Sequence, residues 1–286
     1  MKKILILILV IILGSFIAFY FYNGKFGACI GDIGPAGEDE HRHSFKPSYM
    51  QGLEPYQLPD EILIDSPSGP IAEEGIALPF TPGETLVYDV HCAGIKTGSS
   101  ILRFLGEEEL NGESVYHITF ETELPFLKDY EDIYARKGSF LPLKIRRKIH
   151  KMGGISIEEI EEEYDQDRFT VTIKKKSAFL SNEIVIQKEG NIHNAILLTY
   201  LCRANADTVV KEDSRILLPT QEFNIRVSGN DTVDTPSGQY ITDIFTSEPS
   251  KFTFYLSRDR QRLPVKIVSY AALDYAMILH SAENRL

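Results

Sequence analysis

One stretch limits what this chain can fold into. Ile192 to Asn205 is an apolar run of helical length in a sequence that otherwise, from Gly83 onward, reads as strands and turns. Ala195, Ile196, Leu197, Leu198, Tyr200, Leu201 and Cys202 leave almost no polar face across two turns, and a helix that is apolar all round has to be buried. At about a dozen residues it spans roughly 20 Å, too short for a bilayer. A sheet must therefore cover it. Asn194 is placed to accept from the free N–H groups of the first turn, and Arg203 in the last turn suits the helix dipole. Two readings of the interior follow: the helix plugs a hydrophobic core, or it lines a lipophilic pocket through Leu197, Leu198 and Leu201.

The covering sheet is legible as short runs rich in β-branched and aromatic residues, separated by Asn-Gly, Gly-Gly and Pro-Ser-Gly turns. Strands are predicted at 84–92, 97–105, 113–124, 130–136, 141–151, 155–164, 169–176 and 183–188. After the helix come 214–218, 222–228, 240–247, 251–257, 264–270 and 274–280. The fold class is mainly β: a large curved antiparallel sheet or partly open barrel wrapping one buried helix at about 194–205.

One register can be fixed in advance. Gly153-Gly154 as a two-residue turn sets Lys148 opposite Glu159, Arg146 opposite Glu161 and Lys144 opposite Glu163, all on one face. The other face receives Leu143, Ile145, Ile149, Ile160 and Tyr164, with Arg147, Glu158 and Glu162 as polar intrusions. The basic run Lys144 to Lys151 is then cancelled by the acidic strand beside it rather than offered to an anionic partner. A net charge of −11 argues likewise against nucleic acid, which needs a concentrated basic face.

Before the β region the chain divides in two. Lys2 and Lys3 precede Ile4 to Tyr22, nineteen residues without a charge and ending in an aromatic belt, which is enough to cross a bilayer. Residues 1–23 read as a transmembrane signal anchor or signal sequence with the bulk of the chain outside, and Phe26-Gly27-Ala28-Cys29 loosely resembles a lipobox. The expected location is the cytoplasmic (inner) membrane, with the C-terminal domain on the periplasmic side; a lipoprotein or a secreted protein is the alternative. Residues 24–82 read as a tether with room for pieces to lie on the domain, since 31–82 holds eight of the fourteen prolines and few apolar runs. The β domain is 83–286.

Little chemistry is visible. Glu38 to His43 offers carboxylates and an H-x-H pair, but Arg42 separates the histidines and a solvated loop is expected, so no metal is assigned. Cys29, Cys92 and Cys202 have no zinc or disulfide spacing, and Cys92 and Cys202 read as small apolar residues. Asp89 and His91 share a face of the first strand and, with Ser99, sketch a triad, yet no nucleophile elbow or oxyanion hole accompanies them. No cofactor is expected.

Four passages carry a resemblance. Gly83-Glu84-Thr85-Leu86-Val87-Tyr88-Asp89-Val90 with Ala93-Gly94-Ile95-Lys96-Thr97-Gly98, the stretch Tyr130 to Leu143, the helix at Asn194 to Arg203, and Thr235-Pro236-Ser237-Gly238 followed by Tyr255 to Ile267 together resemble the bacterial exported domain-of-unknown-function family 3108. The likeness covers about 83–286, and Asn194 stands where that family usually has an acidic residue. It implies an envelope-located, mostly antiparallel β domain, with no activity and no catalytic residue to carry over. Physically, Gly94 and Gly98 suit positive φ or a bulge in the first hairpin, and Pro264 suits the start of an edge or peripheral strand.

The leading expectation is a non-enzymatic, membrane-tethered envelope domain that binds a lipid-like or apolar ligand. The alternatives are an envelope protein–protein interaction or assembly module and, third, a hydrolase.

Overall fold

The computed structural model describes residues 78–178, 180–205, 214–270 and 275–283. Among these residues fourteen strands and one α-helix order as β1 (Glu84–Cys92), β2 (Ile95–Leu110), β3 (Glu113–Leu124), β4 (Leu127–Arg136), β5 (Pro142–Lys151), β6 (Ser156–Asp165), β7 (Thr170–Ser177) and β8 (Ser181–Gln187). Then come α1 (Ala195–Ala204), β9 (Ser214–Leu217), β10 (Glu222–Thr235), β11 (Gly238–Glu248), β12 (Phe252–Ser257), β13 (Pro264–Ser269) and β14 (Tyr275–Glu283). All fourteen predicted strands and the helix are present. The predicted membrane span Ile4–Tyr22, Cys29 and the Glu38–His43 cluster lie outside the described residues. Among the described residues no helix is long and apolar enough to cross a membrane.

All fourteen strands form one antiparallel sheet in the order β8-β7-β6-β5-β4-β3-β2-β1-β14-β13-β12-β11-β10-β9. Every neighbour is consecutive in sequence except β1 and β14, which pair from Thr85↔Glu283 to His91↔Ala276. The meander is thus joined first strand to last and cut between β8 and β9. Those two strands are the edges, and α1 lies in the segment that connects them.

The sheet is strongly coiled. In a flat sheet β10 would lie about 14 Å from β13 and 19 Å from β14, given the usual strand spacing; here its Cα atoms come within 8 Å of both. Register shifts at Val227/Gly229, Phe104/Gly106 and Val90/His91 supply the bends, since a bulge increases local twist. Gly98 adjoins the last of these, as expected for a bulge of the first hairpin, and close packing adds a second demand on it. A Cβ there would lie 2.1 Å from the Glu123 carbonyl oxygen, so glycine is required by close approach of β3. Gly94 does take positive φ, at +76°. Pro264 opens β13, which lies between β12 and β14 rather than at an edge.

The concave face and the helix share one continuous hydrophobic core. Leu197 to Arg203 are all buried. Phe80, at the end of the predicted tether, is 3% exposed and packs edge-on against Phe104, Phe140 and Tyr200 at centroid distances of 5.0, 5.8 and 5.0 Å. Its apolar neighbours, not the prolines around it, decide its place.

The β5–β6 register is the predicted one, Lys144↔Glu163, Arg146↔Glu161 and Lys148↔Glu159, but the connection is four residues rather than two: pairing stops at Lys151↔Ser156 and Met152–Gly154 form a 3-10 turn. Lys144 Nζ reaches Glu161 at 2.6 Å and Glu163 at 3.0 Å, and Lys148 reaches Glu159 at 3.4 Å. The basic run is thereby neutralised in place, each exposed pair contributing about 0.2–1 kcal/mol.

Candidate functional site

The helix is set by its ends. Asn194 is extended at φ −122° and its side chain accepts from the N–H groups of Ile196 at 2.8 Å and Leu197 at 3.3 Å, as expected for a cap. Leu197, Leu198 and Leu201 all sit in the core cluster, beside sheet residues such as Leu86, Phe104 and Phe254. A recess of about 480 Å³ lies elsewhere, at the hairpin ends, with walls from Leu124, Phe126, Leu127 and His150 and none from α1.

At the other end of the helix Arg203 is fully buried and grips Glu84, the first residue of β1, through two hydrogen bonds of 2.6 and 2.8 Å. It also donates to the Gln261 carbonyl at 3.0 Å and lies 4.7 Å over the Phe80 ring. The expected role, a cation completing the helix dipole, understates this. Two desolvated charges cost several kcal/mol each unless paired and hydrogen-bonded, and here both are. The buried hydroxyls of Tyr88 and Tyr200 have no partner, and burial raises the pKa of both phenols.

The sketched triad does not assemble. Asp89 is held by Lys96 at 2.6 Å and His280 at 3.3 Å, while the His91 imidazole lies 3.5 Å from the Gly94 carbonyl. Burial would raise the Asp89 carboxyl, but the hydrogen bonds from Lys96 and His280 outweigh it and hold it below the usual carboxylate range. Cys92 and Cys202 are both free thiols. Burial pushes the Cys202 thiol up to about 12, so it is unreactive.

The polar intrusions on the inner face of β5 and β6 form a charged layer with β4 and β7. Arg147, opposite Glu131 in the β4–β5 register, donates through Nε to both Asp129 oxygens at 2.9 and 3.1 Å and lies 3.4 Å from Glu131. Tyr164 donates to Glu162. Glu158 sits between Lys151 at 3.0 Å and Lys175 at 2.8 Å. Burial pushes the Glu131 carboxyl up to about 7; Arg147 opposes this, and Asp129 and Glu162 add to it. Burial raises Glu162 as well, against Tyr164 and Arg147. The layer can therefore bind a proton near neutral pH. Among the described residues no His, Cys, Asp and Glu group converges to hold a metal.

The two sheet edges are built differently. β9 is four residues long, Ile192 bridges to Leu217, and the His193 N–H donates to the Leu217 carbonyl at 2.7 Å. Arg215 on β9 is paired with both Glu189 and Glu222. β8 is seven residues long, SNEIVIQ, with no proline, lysine or bulge, and among the described residues it pairs only with β7. Ile184 and Ile186 pack inward, while Val185 points out and is 64% exposed. A row of backbone N–H and C=O groups is thus left along a strand whose only charge is Glu183 and whose centre, Ile184-Val185-Ile186, is apolar, a condition that sheet proteins usually avoid. The sequence offered no signal for this, because the strand order that makes β8 an edge is set by the distant β1–β14 pairing.

Three comparisons with known proteins bear on this architecture. The family model described as "Protein of unknown function (DUF3108)" matches residues 87–277. No curated protein matches. A solved β-barrel-like protein of domain of unknown function DUF1849 from Brucella abortus is 8% identical, with a TM-score of 0.45 over 73% of this chain and 100% of that one. A Bacteroides fragilis protein with a YmcC-like fold is 12% identical, with a TM-score of 0.27 over 72% of this chain and 98% of that one. None of the three descriptions names an enzymatic activity.

Proposed function

The chain belongs to the DUF3108 family of proteins of unknown function, and we propose that it is a non-enzymatic, membrane-tethered module of the cell envelope that takes up a protein strand along the free edge of β8. The contrast between the two edges carries this reading: β9 is short, bridged and ion-paired, whereas β8 is longer, has no proline, lysine or bulge, and carries the single charge Glu183. Strand addition gives affinity through main-chain hydrogen bonds and specificity through alternate side chains. The outward Val185 and the inward Ile184 and Ile186 provide that alternation. Burial of Leu197, Leu198 and Leu201 among core side chains favours this reading over carriage of an apolar ligand inside the sheet. The uncharged stretch Ile4 to Tyr22 supports the tether.

A photo-crosslinking amino acid at Val185, with one at the equally exposed Ile241 on β11 as control, tests the edge in producing cells. A discrete adduct at Val185 alone is expected, with an envelope protein or a second copy. Adducts at both positions, or at neither, overturn the proposal.

A further inference from the structure

Strand direction places the β1–β2, β3–β4, β5–β6 and β7–β8 turns at one end of the sheet. Each presents an exposed apolar side chain beside a lysine: Ile95 with Lys96, Phe126 with Lys128, Met152 and Ile155 with Lys151, and Leu180 after Lys176. Phe126 is 57%, Ile155 85% and Leu180 74% exposed. Isolated apolar residues on a surface need no explanation, but a row of them at one end does. Adjacent tips touch, the Met152 N–H donating to the Phe126 carbonyl at 2.7 Å. Four hairpin tips two strands apart span roughly 30 Å.

Charge follows the same division. No Asp or Glu occurs within residues 93–96, 125–128, 151–155 or 176–180, in a chain of net charge −11. The carboxylates that pair Lys96, Lys128 and Lys151, namely Asp89, Glu123 and Glu158, lie on the strands behind the turns. Turns at the opposite end are polar: Glu107-Glu108-Glu109 leads into Asn111-Gly112, and Asp165-Gln166-Asp167 joins β6 to β7. Along β1 to β8 one end of the sheet is thus apolar with a fringe of ammonium groups, whereas the opposite end is polar and mixed in charge, acidic at the β2–β3 and β6–β7 turns and basic at Lys137 and at Arg258, Arg260 and Arg262 between β12 and β13.

We infer that this end of the sheet docks on an anionic phospholipid surface, the apolar tips entering the acyl boundary and the lysines lying at headgroup level. Apolar side chains of this size gain from leaving water, and lysines beside them extend their stems to keep the charge among phosphates. The inference rests on the tethered reading above. The 55 residues between Tyr22 and Leu78 have about 180 Å of contour, long enough to bring that end to the bilayer.

The chain has no tryptophan, so single tryptophans report cleanly. The full chain is reconstituted with Phe126→Trp, Ile155→Trp or, at the opposite end, Gln239→Trp. The vesicles are phosphatidylethanolamine with phosphatidylglycerol, and in a second set phosphatidylcholine alone. Emission at 126 and 155 is expected to shift to shorter wavelength and to be quenched by brominated acyl chains, more weakly in phosphatidylcholine, while 239 is not quenched. Adding Phe126→Asp to the Ile155→Trp chain should lower the docked-to-undocked ratio roughly tenfold. A chain recovered with vesicles whose tip tryptophans are quenched by iodide and not by bromine overturns the docking and leaves the tether standing. A chain not recovered with vesicles overturns both. A blue shift that grows with protein concentration in the absence of lipid assigns the tips to a second copy and overturns it too. Equal quenching in phosphatidylcholine overturns the choice of an anionic surface.

Discussion

Arg203, in the last turn of the helix, and Glu84, the first residue of β1, are 119 residues apart and form a two-bond ion pair with neither side chain in contact with water. The pair fixes the rotation of α1 against the strand that joins the two halves of the sheet. Removing one partner leaves an uncompensated buried charge, so Arg203→Ala or Glu84→Ala should each cost about 3–5 kcal/mol. Urea denaturation measures this. The double variant Glu84→Gln with Arg203→Met should lose less than the sum of the single changes.

The charged layer makes stability depend on pH through Glu131. Its folded pKa of about 7 lies above its ordinary 4.5, so between those values the folded chain holds a proton that the unfolded chain has released. Stability from this group is therefore present below about pH 4.5 and is lost as pH rises through 7. Glu131→Gln removes the dependence, and its stability relative to the parent should rise between pH 5 and pH 8 by on the order of 3 kcal/mol. Parallel denaturation curves at the two pH values check the sign.

Two glycines of the first hairpin should respond unequally to alanine. At Gly98 the new Cβ meets the Glu123 backbone at 2.1 Å, so β2 or β3 must shift, at a cost of about 3 kcal/mol. At Gly94 the space is open and only the positive φ is strained, which costs about 1 kcal/mol. Thermal unfolding of the two variants gives the ranking.

Cys202 should resist thiol reagents in the native state, because burial pushes its pKa up to about 12 and closes access. Mass spectrometry of alkylated peptides is expected to show Cys202 modified only in denaturant and the half-buried Cys92 modified before it.

These features were unequally legible in the sequence. Alternation and turn residues located the strands, because both signals are local. The β5–β6 register was readable because Gly153-Gly154 and three opposite-charge pairs agree on it. The polar intrusions Arg147, Glu158 and Glu162 were visible too, but their partners Asp129 and Glu131 required the β4–β5 register. Nothing local connects Glu84 to Arg203 or β1 to β14, and so nothing local marks β8 as an edge. Phe80 was hidden by the prolines around it, which suggest a tether even where an aromatic ring enters the core. The helix leucines were placed correctly inside, and the choice between plug and pocket lay in packing that periodicity does not encode.

The free edge of β8 is tested most directly by hydrogen exchange of its own amides, compared between the purified chain and the chain in native envelope membranes. Strand addition predicts fast exchange for the outward N–H groups of Ser181–Gln187 in the purified chain and slow exchange in the membranes, with β7 protected in both. Equal rates in the two states, whether fast or slow, would contradict it.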